Sequence, residues 1–292
     1  MLRKLFLVIS MAEELVNKIT NEIKRSGFPL EMHCLNVCSK KNTGRMPNIR
    51  YSYKGELKEI DLYAFFEEIT PEAENPQYTS TSIIVECKKS KYPWVFFSSS
   101  MYGTQDVSCF IKYYSEFDLY FAKTKTPNLF NRINKKLKKN HYKYSEGIPY
   151  CLSYFEAFKN PNAPSEIYKA IDSVLSFLNF RLELRQSRGD VRGFHTQFFY
   201  PIIVLEGCLF EAEMDKDEIH VNKRDHVHLR VDYRDDIYIV DVVTKEYFET
   251  LFNIIEKDHY DFVKSISKVN FTEKHKAILN EGYAEFLREI GF

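Results

Sequence analysis

Asp61 lies in the string Lys58-Glu-Ile-Asp-Leu-Tyr-Ala64, and after 24 intervening residues Glu86-Cys87-Lys88 follows inside Ser82-Ile-Ile-Val-Glu-Cys-Lys-Lys-Ser90. Two carboxylates and an ammonium thus emerge from strand-like apolar runs, which do not bury charge without a partner or a cation. Successive side chains alternate faces on a strand, so Ile60, Leu62 and Ala64 are expected on one face with Glu59 and Asp61 opposite. In the second run Ile83, Val85 and Cys87 share a face, leaving Ile84, Glu86 and Lys88 on the other. The chemistry this set supports is Mg²⁺-dependent phosphodiester hydrolysis. A hard divalent cation takes oxygen ligands and keeps several waters, so Asp61 and Glu86 would hold it and the Cys87 carbonyl oxygen would add a ligand. Lys88 then stands beside the coordinated water, where an ammonium positions the nucleophile and offsets charge growing at phosphorus. Glu-x-Lys by itself is a common solvated pair; the Ile83-Ile84-Val85 run before it and the aspartate one strand earlier give it weight.

Asp61 followed at this distance by Glu86-Cys87-Lys88 resembles the PD-(D/E)XK nuclease superfamily, with Mrr-type and junction-resolvase-type members most similar. Ile60 stands where that family carries proline. The resemblance covers roughly the first 100 residues and implies an α/β fold of restriction-endonuclease type, a central mixed β-sheet flanked by helices. On that reading residues 1–292 form one domain, with a helical, basic insertion over 100–160 after the Glu-x-Lys strand. It also implies Mg²⁺, with Mn²⁺ able to substitute, and a nucleic-acid substrate, DNA favoured over RNA. A homodimer, or a partner subunit in a defence, restriction or repair complex, belongs to the same expectation. The alternative is an inactive relative that binds nucleic acid or serves assembly. The family draws one more glutamate from its first helix; chain position favours Glu13 or Glu14, the helical wheel favours Glu22, and both stay open.

The elements that must position these groups follow from periodicity. Met11, Leu15, Val16, Ile19 and Ile23 recur at helical spacing and predict a helix to Ser26. Residues Glu31 to Cys38 read as a strand with Cys34 and Cys38 on one core face, and Lys54-Gly55-Glu56 as the turn of a hairpin. Residues 67–80, with Pro71 and Pro76, read as the loop between the two carboxylate strands, and Trp94 to Phe97 as a strand beside the Glu-x-Lys strand. Asn162 to Ser165 looks like the capped start of a helix whose Ile167, Ala170, Ile171, Val174, Leu175, Leu178 and Leu182 would cover the sheet. Tyr200 to Leu205 reads as a buried strand leading to another at Leu209 to Met214. In His226-Val-His-Leu-Arg-Val231 the two histidines have a spacing that suits zinc, but no third ligand is evident, so a polar strand face is expected. A strand at Ile237 to Val243 and helices after Thr244 and Thr272 complete the chain as packing elements.

With 292 residues, 44% of them hydrophobic and 15% aromatic, the chain buries a sizeable core. Its 41 basic and 41 acidic residues cancel, which argues against a nucleic-acid coat protein and leaves contact to local patches. Six cysteines without a C-x-x-C pair read as reduced thiols, and no compact set of four suits an iron-sulfur cluster. The basic, apolar start Met1 to Ser10 lacks a small-residue cleavage pattern and runs into a charged helix, so a cytoplasmic protein is expected, with Met11 as another plausible start. There is no apolar stretch long enough to span a membrane, and no phosphate-binding Gly-rich loop or nucleophile elbow.

Residues 123–143 carry Lys123, Lys125, Arg132, Lys135, Lys136, Lys138, Lys139 and Lys143 with no acidic residue. Leu129, Ile133 and Leu137 place them on an amphipathic helix followed by Tyr142 and Tyr144, which could stack on bases. A solvated helix face is the bland account of the same pattern. The two differ in salt dependence. If Arg132, Lys135, Lys136, Lys138 and Lys139 bind phosphates, reversing the four lysine charges weakens duplex binding and flattens the log-log salt slope by roughly one unit per lost contact. Fluorescence anisotropy in Ca²⁺ at several salt concentrations reads both quantities, and a solvated face changes neither.

Overall fold

The structure is a computed structural model of the chain and describes residues 2–70, 77–98, 111–115, 141–144, 147–188, 194–215 and 218–266. Its elements in order are α1 (Leu2–Arg25), α2 (Phe28–Ser39), β1 (Gly44–Tyr53), β2 (Glu56–Thr70), β3 (Gln77–Lys89), β4 (Trp94–Ser98) and β5 (Lys112–Ser115). A 3₁₀ turn (Tyr142–Tyr144), β6 (Tyr150–Glu156), α3 (Glu166–Arg188), β7 (Phe194–Glu206), β8 (Leu209–Asp215), β9 (Glu218–Lys223), β10 (His226–Tyr233), β11 (Asp236–Thr244) and α4 (Lys245–Ile266) follow. The eleven strands form one mixed sheet in the order β1-β2-β3-β7-β11-β10-β6-β4-β8-β9, with β5 on β7. The architecture is therefore α/β. The described parts of residues 100–160 are β5, the 3₁₀ turn and β6.

Helices cover both faces, as apolar strands demand. On one face Leu62, Ala64, Ile83, Val85, Ile202 and Val204 pack with Leu30, Cys34 and Val37 of α2 and Phe248, Leu251, Phe252 and Ile255 of α4. On the other, Tyr63, Ile84, Phe199, Ile203 and Leu205 pack under Ile167, Ile171, Val174, Leu175 and Leu178 of α3. The apolar stripe of α3 thus does what its spacing predicts, and Ser165 Oγ caps it by accepting the Tyr168 N–H at 3.1 Å. The Lys54-Gly55 turn is also as expected, with φ of 50° and 82° at its two positions, the left-handed pair that a two-residue hairpin requires.

Four expectations are corrected. Residues 28–39 are helical, not a strand: Leu30, Cys34, Val37 and Cys38 are buried at helical intervals, and Pro29 sits in the first turn, where its missing N–H costs nothing. Cys34 and Cys38 still share a core face, one helical turn apart. The strands β2 and β3 extend to Thr70 and from Gln77, taking up most of the supposed loop. Trp94 to Phe97 pairs with β6 and β8, not with β3; β3 lies between β2 and β7 and pairs with β7 in parallel register from Gln77↔Phe194 to Lys89↔Glu206. Finally α1 already begins at Leu2, and Leu15, Val16, Ile19 and Ile23 on it are exposed.

The β3–β7 pairing ends where Ser90 N–H donates to the Glu206 carbonyl at 3.1 Å. Gly207 follows, and a Cβ there would lie 2.8 Å from the Ser90 carbonyl oxygen, a backbone atom with little room to yield. Gly207→Ala is expected to lower stability by about 1–3 kcal/mol, the cost of overpacking, read as a lower urea midpoint with unchanged slope. An unaltered midpoint would show that the turn opens freely.

Candidate active site

Asp61 sits where β2 parts from β3. The ladder between them runs from Thr70↔Gln77 to Leu62↔Val85 and stops one residue short of Asp61. On the other side Pro47 pairs with Leu62 and Ile49 with Ile60, while Asn48 and Asp61 between them are unpaired and Asn48 takes a φ of 50°. Side-chain alternation breaks at the same point. Ile60 packs in the α3 layer beside Tyr63, whereas Leu62 packs in the α2/α4 layer, so the expectation that Ile60, Leu62 and Ala64 share a face is corrected. The kink turns β2 out of the ladder and leaves the Cys87 N–H without a strand partner. Asp61 supplies one, its Oδ2 accepting from Cys87 N–H at 2.7 Å. Since the N–H and C=O of one strand residue point the same way, the Cys87 carbonyl also faces this opening, while its thiol turns toward Cys34, Sγ to Sγ 3.7 Å.

Glu86 is 6% exposed and points to α3. Its Oε1 accepts from Lys88 Nζ at 2.6 Å, and its Oε2 accepts from Ser173 Oγ at 2.9 Å, a hydroxyl shared with the Glu59 carbonyl at 3.1 Å. Burial pushes the Glu86 carboxyl up to about 7, Asp61 adds to the push by repulsion, and Lys88 and Ser173 oppose it. Burial likewise raises Asp61, against the Cys87 N–H and Lys88, with Glu59 adding to the rise. Burial disfavours the Lys88 ammonium, but Glu86 and Asp61 outweigh it and hold its pKa above the usual lysine range. The structure thus brings Asp61, Glu86, Cys87 and Lys88 together. An open depression lined by Lys58, Glu59, Tyr168, Lys169, Asp172 and Ser173 adjoins them.

Two residues here escaped the sequence reading. Ser173 lies on the polar edge of α3, and only the packing of α3 over β3 aims it at Glu86. Glu31 on α2 is raised by burial and then by repulsion from Asp61 and Glu59, with Lys88 acting in the opposite sense, which places it beside the same carboxylates. Reading 30–38 as a strand hid it; the Leu30/Cys34/Val37/Cys38 spacing was the available signal. Glu14 and Glu22 are instead exposed on α1 and paired with Lys18 and Arg25, and the Glu13 side chain lies outside the described residues. Arg132, Lys135, Lys136, Lys138 and Lys139 also lie outside them. Lys143 and Tyr142 are not available to nucleic acid: both are buried and bonded to Asp241.

No protein-family model, curated protein or solved structure matches the chain.

The raised Glu86 carboxyl fixes the sign of a pH effect. Its folded pKa lies above the unfolded value, so the folded state holds the extra proton and metal-free stability falls as pH rises from about 4.5 toward 7. Glu86→Gln mimics the protonated acid and removes that loss. The variant is expected to gain on the parent through this window and to exceed it by up to about 3 kcal/mol above it. Urea midpoints at pH 5 and pH 8 in chelator give the comparison; a constant difference would contradict the shift.

Proposed function

We propose that the chain is a metal-dependent nuclease that hydrolyses phosphodiester bonds in DNA. The observation that carries the reading is the parting of β2 from β3 at Asp61, which sets Asp61, Glu86 and Lys88 around one opening. The order of α2, β1, β2, β3, α3 and β7, with β1, β2 and β3 antiparallel and β7 parallel to β3, supports it, because a helix, a strand, the aspartate strand and the Glu-x-Lys strand is the order the resemblance implies.

The donor set fits a hard cation. Asp61 raises the pKa of both Glu86 and Glu31, a crowding of carboxylates that a divalent charge relieves, and the Cys87 carbonyl adds a neutral oxygen. Mg²⁺ held there would lower the pKa of a coordinated water and offset charge on the phosphate. Asp61 and Glu86 provide the binding charge, with Glu31 as a third carboxylate within electrostatic reach. Ser173 fixes the orientation of Glu86 from α3, and the Glu59 carbonyl in turn anchors Ser173. Lys88 pairs with Glu86; with a cation held by that carboxylate, its ammonium would be placed to orient the attacking water and offset charge on the scissile phosphate. One observation favours a second reading, an inactive relative that binds nucleic acid or serves assembly: Lys88 already neutralises Glu86 at 2.6 Å.

Incubation with labelled single-stranded, duplex and branched DNA and with RNA, with and without Mg²⁺ or Mn²⁺, separates the readings. Asp61→Ala and Glu86→Ala should lower metal-dependent cleavage by about a hundredfold or more while remaining folded. Lys88→Ala should lose turnover to a similar degree yet keep most of the metal affinity measured by calorimetry. Cleavage that survives both carboxylate substitutions would remove the assignment, and a folded parent with neither cleavage nor Mg²⁺ binding would favour the inactive relative.

A further inference from the structure

A second polar cluster lies in the sheet away from Asp61 and Glu86. Antiparallel pairing sets His228 of β10 opposite Asp241 of β11, and His226 shares the face of His228, opposite to Val227 and Leu229 in the α3-side core. The polar strand face expected here is corrected: His226 and His228 are 6% and 2% exposed and Asp241 is fully buried. The third ligand that the sequence did not reveal is Asp241, and its two oxygens divide the surroundings. Oδ1 lies 2.9 Å from His226 Nε2 and 3.2 Å from His228 Nε2. Oδ2 takes Lys143 Nζ and Tyr142 Oη, each at 3.0 Å.

A purely hydrogen-bonded account has Lys143 neutralise Asp241 while both imidazoles donate to it. That account leaves His228 Nε2, a buried atom, without an aligned hydrogen bond despite its closeness to Oδ1. A ligand lone pair points at the ion and not along the line to the next ligand, so this misalignment is what a bound cation would explain. Donors around a tetrahedral ion with bonds of about 2.0–2.1 Å lie roughly 3.3 Å apart; the two Oδ1–Nε2 separations are close to that, and one ligand atom from each of the three residues falls within 4.8 Å of the others. Tyr142 and Lys143 on the far oxygen match the outer partners that orient a coordinating carboxylate. We propose that His226, His228 and Asp241 form a structural Zn²⁺ site, distinct in place and donor chemistry from the oxygen-rich opening at Asp61 and Glu86. Two imidazoles and one carboxylate suit a borderline ion better than Mg²⁺, and their burial suits a staple between β10 and β11 better than a reaction centre.

The test uses the full-length chain, freed of any affinity tag, dialysed against Zn²⁺ and then against excess Mg²⁺ without Zn²⁺. Elemental analysis is expected to find one Zn²⁺ per chain, Co²⁺ in its place should give the visible absorption of a nitrogen- and oxygen-ligated ion, and Tm should rise with Zn²⁺ concentration. His228→Gln and Asp241→Asn should weaken Zn²⁺ retention by at least roughly the ten- to hundredfold that outer-shell changes alone produce. Asp61→Ala combined with Glu86→Ala should leave it unchanged, so the outcome does not depend on cleavage. A parent chain that retains no Zn²⁺, or retention that disappears with Asp61 and Glu86 instead of His228, would overturn the site; in the first case Lys143 is the only cation that Asp241 needs. If the His228 and Asp241 variants fail to fold, the stoichiometry and Co²⁺ spectrum of the parent still decide.

Discussion

A carboxylate next to a second carboxylate, both shielded from water, holds together only if donors are supplied to it, and around Asp61 the sheet itself is opened to supply one. The kink at Asn48 and the end of the β2–β3 ladder expose the Cys87 N–H, which Asp61 then occupies. Without that break the N–H would belong to a strand partner and Asp61 would have no donor. The remaining supports come from both layers, Ser173 from α3 above Glu86 and the α2 helix bearing Glu31 below. The parallel register of β3 with β7 holds Glu86 and Lys88 in place along the entire length of both strands.

The same rule governs the far side of the sheet, where Asp241 gathers Lys143, Tyr142, His226 and His228. Asp241 is in register with Ile202, and Ile202 with Val85, the residue before Glu86. The two polar clusters therefore lie at the same level of the sheet and on opposite faces, separated by the apolar side chains of β7. Glu86 reaches into the α3 layer while Asp241 reaches into the opposite one, which is how one sheet accommodates two sets of buried charge with different chemistry.

Much of this was legible in local pattern. Alternation in residues 82–88, the Gly55 turn, and the stripe and cap of α3 all appear as their spacing implies, because each is decided by neighbours within a few residues. What was not legible is decided at long range. In the short α2 helix Leu30-Glu31-Met32-His33-Cys34 alternates apolar with polar residues as a strand does, and the core it meets sets its state. The flip between Ile60 and Leu62 depends on Asn48 in the adjacent strand. Lys143 reads as one cation in a basic run until Asp241, far along the chain, claims it. Membrane insertion by a helix has no support among the described residues, none of whose helices is long and apolar enough.

The pairing of β3 with β7 also imposes an order on biogenesis. β1, β2 and β3 form a local meander that can close as soon as it is synthesised, but β7 begins only at Phe194, after β4, β5, β6 and α3 among the described residues. Until then Ile83, Ile84 and Val85 present an open, apolar strand edge, the kind of surface that associates with other chains. Contacts of such long sequence separation also slow folding, since the intervening loop must close before they form. A nascent chain therefore carries its acidic residues for a long interval before Ser173 and β7 arrive to set them, and through that interval the β3 edge stays open to association.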